Sequence, residues 1–283
     1  MPNKLLHRSI DAVDRRLVLL APPEAPIPAS FENVEVNASR HAKLVTDIQR
    51  LRGRIYLQDG AVEPHQLTDE GLHQTPEDER SWHLLMLNRL GQVAACVWYL
   101  DHDPSVSVER LRVRQCPLAH LPTWRDILWS AVEFELTRAR LEGLGYAEVG
   151  GWAVAESSRC TSEGLVLALA GYSLGRVLGG TLGMTTATVR HCSSTILRRL
   201  GGSDLSVGGR RVPSYYDPRY KCEMELLRFD SRHPTSKYSA LVELLKGKLA
   251  EVRVITTQEQ PATESAYSLW RGAPAFQPAI LAS

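Results

Sequence analysis

Residues 147–164 read AEVGGWAVAESSRCTSEG, and no other stretch restricts the possible folds as much. Its first eight residues are apolar enough for a buried strand, yet a strand interior rarely carries two adjacent glycines. Gly150 and Gly151 therefore mark a bulge, or a place where another group approaches the backbone closely. A polar bend with one cation, Arg159, follows, and Gly164 then opens the apolar run LVLALAGY. A helix N-terminus offers unpaired N–H groups and the positive end of the helix dipole, which makes it an anion site. Ser162 and Gly164 are small enough to admit a phosphate, and Arg159 adds a charge beside it. A bulge in the strand would turn N–H groups outward, where they can bond a thioester carbonyl as it gains negative charge. One such donor is worth about 10²–10³ in rate. Strand, bend and helix start together fit a site for the phosphates and thioester of an acyl donor.

Periodicity fills in the rest. Residues 3–20 have apolar positions near helical spacing and predict an amphipathic helix, followed by a proline-rich linker at 21–30. Residues 41–58 read as a helix ending near Gly53, and 59–80 as a long polar loop of the kind that is usually functional or disordered. WHLLMLN at 82–88 and VAACVWYLD at 93–101, joined through Gly91, predict an antiparallel hairpin, and VSVERLRV at 106–113 a further strand. Thr123 and Asp126 resemble a capping box opening the next helix, which ends at Gly143 or Gly145. Beyond the glycine-bearing strand come a helix at about 162–178, a strand at 183–189, a short helix ending ILRRLGG, a final strand at about 221–229 and a last helix at 236–252. This order predicts an α/β fold with a mixed sheet and helices on its faces. The expected divisions are 1–38 (helix and linker), 39–254 (one large domain) and 255–283 (a tail of low periodicity).

Composition excludes several classes. The 283 residues are 43% hydrophobic and 23% charged, enough for a sizeable core, and the net charge of +1 gives no case for nucleic acid as a partner. Basic patches at 110–115, 190–199 and 208–211 read as solvated surface. Five scattered cysteines without a CxxC argue against a disulfide framework and against a bound metal. The first apolar cluster is too short for a signal peptide, and no run approaches the roughly 18 residues of a spanning helix. A cytoplasmic, reducing location is expected.

With strand and helix around it, Arg159-Cys160-Thr161-Ser162-Glu163-Gly164 resembles the Arg/Gln-x-x-Gly-x-Gly/Ala signature of the GNAT superfamily of N-acyltransferases, with serine at the first glycine. The order of elements over about 41–229 and the ending ILRRLGG are similar as well. The resemblance implies a GNAT-like, mostly antiparallel central sheet flanked by helices. It also implies that residues 159–164 bind the donor, with the N–H groups of Ala153 and Val154 on the thioester carbonyl. Glu148 stands where a branch of the superfamily keeps a general base. Leu197 occupies the place of the usual acid tyrosine, so Tyr215 or Tyr216, before the final strand, is the candidate replacement. The loop 59–80, the Arg52…Tyr56 helix end and the YYDPRYKCEMELLRFD segment resemble the long-chain N-acyl amino acid synthases and acyl-homoserine lactone synthases. That branch implies a medium or long acyl chain, delivered by acyl carrier protein or CoA to an amino acid or similar small amine. If the donor is acyl carrier protein, which is acidic, the arginine patches would suit its docking. An acetyl-CoA-dependent N-acetyltransferase of a peptide or small amine, and a non-enzymatic acyl-thioester-binding protein, remain alternatives.

Overall fold

The computed structural model describes residues 2–258 except 12, 24, 104 and 160. In chain order its helices are α1 (Pro2–Asp11), α2 (Val13–Arg16), α3 (Ala38–Gln58), α4 (Pro122–Leu141), α5 (Glu163–Val177), α6 (Ser193–Leu200) and α7 (Ser236–Leu249). The strands are β1 (Leu17–Leu20), β2 (Val34–Val36), β3 (Trp82–Leu87), β4 (Val93–His102), β5 (Gly145–Val154), β6 (Thr181–Thr188), β7 (Ser203–Asp204), β8 (Ser206–Val207), β9 (Arg210–Arg211), β10 (Tyr215–Asp217), β11 (Cys222–Asp230) and β12 (Arg253–Thr256). Ten strands make one sheet in the order β10–β11–β6–β5–β4–β3–β1–β12–β2, with β7 on β11; β8 and β9 form a separate hairpin. Pairing is antiparallel except for β5/β6, β1/β12 and β12/β2.

Helices cover both faces of the sheet. On one face α5 and α7, with Ile10 of α1 and Val13 of α2, bury the inward residues of β1, β3 and β4. On the other, α3 covers the β1, β3 and β4 end and α4 covers β5, β6 and β11. No helix among the described residues is long and apolar enough to cross a membrane.

Several expectations are corrected. Leu17–Leu20 does not continue the N-terminal helix but lies inside the sheet between β3 and β12. All four of its residues are buried, so no alternation marks it as a strand. The strand at 222–230 is followed by β12, which joins the two ends of the described chain through β1 and β2. Residues 106–113 are not a strand: Val108–Arg110 and Arg112–Gln115 are 3₁₀ turns whose apolar side chains pack with α4. The capping box is absent; α4 starts on Pro122, which needs no N–H donor in a first turn, and its N-cap is Leu121. Helix α3 runs through Gly53 to Gln58, because this glycine serves packing: a side chain there would collide with the carbonyl of Gly71 in the 59–80 loop.

Candidate functional site

The two central parallel strands separate partway along. Strands β5 and β6 pair from Gly145↔Thr181 to Val149↔Thr185, although β5 continues to Val154 and β6 to Thr188. On its other side β5 stays paired to β4 as far as Val154↔Ala95. The Ala155 amide donates to the Ala94 carbonyl at 2.7 Å. Strand alternation then puts the Ala153 amide in the same ladder, opposite Cys96, and turns the Val154 N–H away from β4, toward the side where β6 has separated; neither residue is among those that line the cavity in this gap.

The glycine pair causes a bulge, as its composition predicts. Cys96 opposes Ala153 and Trp98 opposes Gly150, so β5 carries one residue more than β4 across this interval. Gly151 has φ +65°, a conformation open to glycine and costly for other residues. The extra residue reverses which face each side chain meets. Ala147 and Val149 pack with the α5 cluster, whereas Ala153 packs with the α3 cluster. The group that approaches the glycines closely is the Trp98 indole, into which a side chain at either position would run.

Helix α3 supports the bulge from below with two residues one turn apart. The Tyr56 hydroxyl donates to the Trp152 carbonyl at 3.3 Å. A side chain at Gly151 would lie 3.2 Å from Arg52 Nη1. Arg52 is 1% exposed and pairs with Asp78 at 2.6 Å, also donating to the His73 carbonyl at 2.8 Å. Burial opposes both charges, but their mutual contact prevails: Arg52 is held above its ordinary range and Asp78 below. Asp78 also accepts from Gln49 Nε2 (3.1 Å) and the Thr75 amide (3.0 Å), and its carbonyl accepts from His83 Nε2 at 2.8 Å. The polar 59–80 loop is therefore an ordered support for the site.

A cavity of about 210 Å³ occupies the gap and is lined from both faces of the sheet. On the α5 side its walls are apolar, including Leu84, Val97, Leu167, Ala168, Tyr172 and Phe229. On the other side polar groups, Tyr56, Arg112, Glu148, Asp217, Arg219 and Tyr220, stand beside the apolar Val113, Met184 and Met224. Thr185 and Val149 stand at the junction. Arg112 lies 5.4 Å from the Trp98 ring centre and 3.2 Å from Glu77. Burial works against its charge, yet Tyr220, Glu77 and Glu148 hold it above the ordinary value. Arg219 is 3.2 Å from Asp217 and donates to the Gln115 carbonyl at 3.0 Å. No group of three His, Cys, Asp or Glu side chains among the described residues is arranged to hold a metal ion.

The candidate residues divide into two sets. Glu148 is 4% exposed and lines the polar side; its carboxylate accepts from the Arg112 amide (2.8 Å), the Val113 amide (2.9 Å) and His102 Nε2 (3.1 Å). Tyr215 is buried in the same wall, and burial pushes its phenol well above the ordinary value. Tyr216 is 62% exposed and Leu197 lines the cavity. Arg159 and residues 161–164 are not among those that line the cavity. Arg159 makes two 3.0 Å contacts to the Asp59 carboxylate at the end of α3. Thr161 Oγ1 donates to the Ser158 carbonyl at 2.6 Å and accepts from the Glu163 amide at 3.2 Å. Ser162, the N-cap of α5, meets Ser9 of α1 at 2.5 Å, and Glu163 pairs with Arg16 of α2. A side chain at Gly164 would lie 3.3 Å from Trp152. Cys160 falls outside the described residues. Sequence reasoning missed Arg112, read as part of a solvated patch, and gave no role to Arg219 or Tyr220. Nothing local marks these residues, because loops distant in the chain bring them together.

No family model matches the chain, and no curated protein matches it. Its fold matches solved structures. A CoA-dependent acyl-homoserine lactone synthase, BjaI, solved with SAM and isopentyl-CoA, aligns at a TM-score of 0.50 and 11% identity, covering 90% of this chain and 98% of that one. A second CoA-dependent acyl-homoserine lactone synthase, MesI, aligns at 0.50 and 14% identity, covering 82% and 95%. FeeM, an N-acyl amino acid synthase from uncultured soil microbes, aligns at 0.44 and 14% identity, covering 70% and 89%. The fold is thus the one seen in these two CoA-dependent acyl-homoserine lactone synthases.

Proposed function

We propose that this chain is an N-acyltransferase that moves an acyl group from a pantetheine thioester to the amine of an amino acid or similar small acceptor. The observation that carries the reading is the division of the cavity. An apolar arm under α5 suits an acyl chain, charged groups opposite suit a small zwitterion, and between them β5 and β6 part after Val149. A fold that also serves CoA-dependent acyl-homoserine lactone synthases agrees with this chemistry.

In this reading the amine nitrogen attacks the thioester carbon with no covalent enzyme intermediate. The carbonyl oxygen, as it becomes an oxyanion, meets the Val154 N–H; Ala153, facing the β4 ladder, fixes that strand. Glu148, directly or through water, takes the proton that the acceptor's ammonium loses before its nitrogen attacks, and the second amine proton leaves as the C–S bond breaks and neutralises the departing thiolate. Near the leaving thiolate Tyr215 lines the cavity and can donate a hydrogen bond, although burial makes its phenol a weak acid, whereas exposed Tyr216 does not line the wall. Arg112 and Arg219 receive the carboxylate of the acceptor. The donor arm runs along residues 159–164, where phosphates compete with Asp59 for Arg159 and with Glu163 for the mouth of α5. The carrier is CoA or acyl carrier protein; Arg199, Arg210 and Arg211 are exposed and would suit an acidic carrier.

The test is incubation with amino acids and with acetyl and long-chain thioesters of CoA and acyl carrier protein, read by mass spectrometry. N-acyl product is expected, and its absence with every donor would remove the reading. Preference for acetyl on peptide amines would favour the acetyltransferase alternative instead. Glu148→Gln is expected to lower kcat by about 10²–10⁴. Unchanged turnover across pH would take Glu148 out of the mechanism.

A further inference from the structure

We infer that Gly171 sets the length of the acyl chain, because α5 leaves unfilled at this position the room that the chain occupies. The inference rests on the acyl-transfer reading above and adds the residue that gauges the donor.

Helix α5 contains three glycines, each less favourable in a helix than alanine. Two have a packing reason. A side chain at Gly164 would press on Trp152 at 3.3 Å, and one at Gly175 would come within 2.9 Å of Ser231 Cβ and 3.0 Å of Tyr99 Oη. Gly171 has no such reason: a Cβ placed there meets no atom within 4 Å. It is nevertheless part of the cavity wall. Leu167, Ala168, Gly171 and Tyr172 fall on one face of the helix, the face that lines the cavity. Ala168 and Gly171, one turn apart, form a notch in a wall otherwise made of large side chains. Tyr172 closes it, packed on Phe229 with ring centres 5.8 Å apart. A chain entering from the parted strands at Val149 and Thr185 would pass this notch before meeting the aromatic pair. A side chain at 171 would grow into the path of the chain and not into protein.

The test compares wild type, Gly171→Ala and Gly171→Leu. Three quantities are measured: kcat/KM for acetyl-, octanoyl-, dodecanoyl- and hexadecanoyl-CoA, the affinity for a fluorescent long-chain fatty acid, and the melting temperature. Gly171→Leu is expected to lower kcat/KM for the longest donor used by wild type by about a hundredfold, leaving the shortest within about threefold. Gly171→Ala should shift the same preference by about tenfold. Probe affinity should fall in step. Folded variants with the wild-type chain-length profile and probe affinity would overturn the inference, and so would a wild type that binds no apolar chain. Probe binding lost in Gly171→Leu, with no donor turned over by wild type, would uphold the notch and remove the transfer reading. Should Gly171→Leu fail to fold, Gly171→Ala decides, since its methyl group enters open space.

Discussion

Strand β5 is held in two ways along its length. From Tyr146 to Val149 it has ladders on both sides, with Tyr146 and Ala147 fully buried. From Gly150 to Val154 it has a ladder to β4 alone, and side chains do the rest: Trp98 above the glycines, Tyr56 on the Trp152 carbonyl, and Arg52, clamped by Asp78, beneath Gly151. The first half is fixed by main-chain pairing, which most sequences can supply. The second is fixed by a few specific side chains, which leaves one edge free for a substrate. A site of this kind is therefore more fragile than the sheet that bears it.

Removing the clamp tests this most severely. Asp78→Ala leaves Arg52 buried without its partner and is expected to cost about 3–5 kcal/mol. Chemical denaturation measures the loss. Amide exchange locates it: 150–154 should lose protection well before 145–149, and equal loss in both would break the distinction. Acid acts on the same support. Burial pushes His83 and His73 down to about 4 from an ordinary 6.5. Both are neutral in the folded state and take up protons more readily when unfolded. The stability they contribute is complete above 6.5 and is lost as pH falls through 6.5 toward 4, on the order of 3 kcal/mol for each. Denaturation at a series of pH values should show this fall. His83→Gln, which keeps a donor for the Asp78 carbonyl, should flatten it; an unchanged slope would exclude His83. The smallest change in stability is expected from Gly151→Ala, at about 1–3 kcal/mol for the unfavourable φ and the Trp98 contact. Its effect on turnover should be larger, about a hundredfold, because in the proposed mechanism the bulge aims the Val154 N–H at the thioester carbonyl. A turnover loss no greater than the loss of folded protein would show that the bulge is structural only.

Much of this was legible in the sequence. The hairpin of β3 and β4, helices α5 and α6, and the bulge at Gly150–Gly151 follow from local pattern, because alternation, helical spacing and paired glycines act within a few residues. The same locality explains the failures. Leu17–Leu20 is too short and too evenly buried to show a period, and its partners lie at 82–87 and 253–256. Gly53 looked like a helix end because nothing nearby reveals the Gly71 carbonyl against it. Glu148 is marked by the family resemblance, which puts a general base at this place on the glycine-bearing strand. The amides of Arg112 and Val113 that hold it came from a segment that read as another strand.

By itself the sequence determined which strand would be distorted, which helix would start beside it, and that the chain would fold as a mixed sheet under helices. These are short-range matters of backbone freedom and hydrophobic period. Tertiary structure alone decided that β5 and β6 part after Val149, that Arg52 and Asp78 support the open half, and that charged and apolar walls meet across the gap. Those outcomes depend on where distant segments come to rest, and close packing fixes that only when the whole chain is folded.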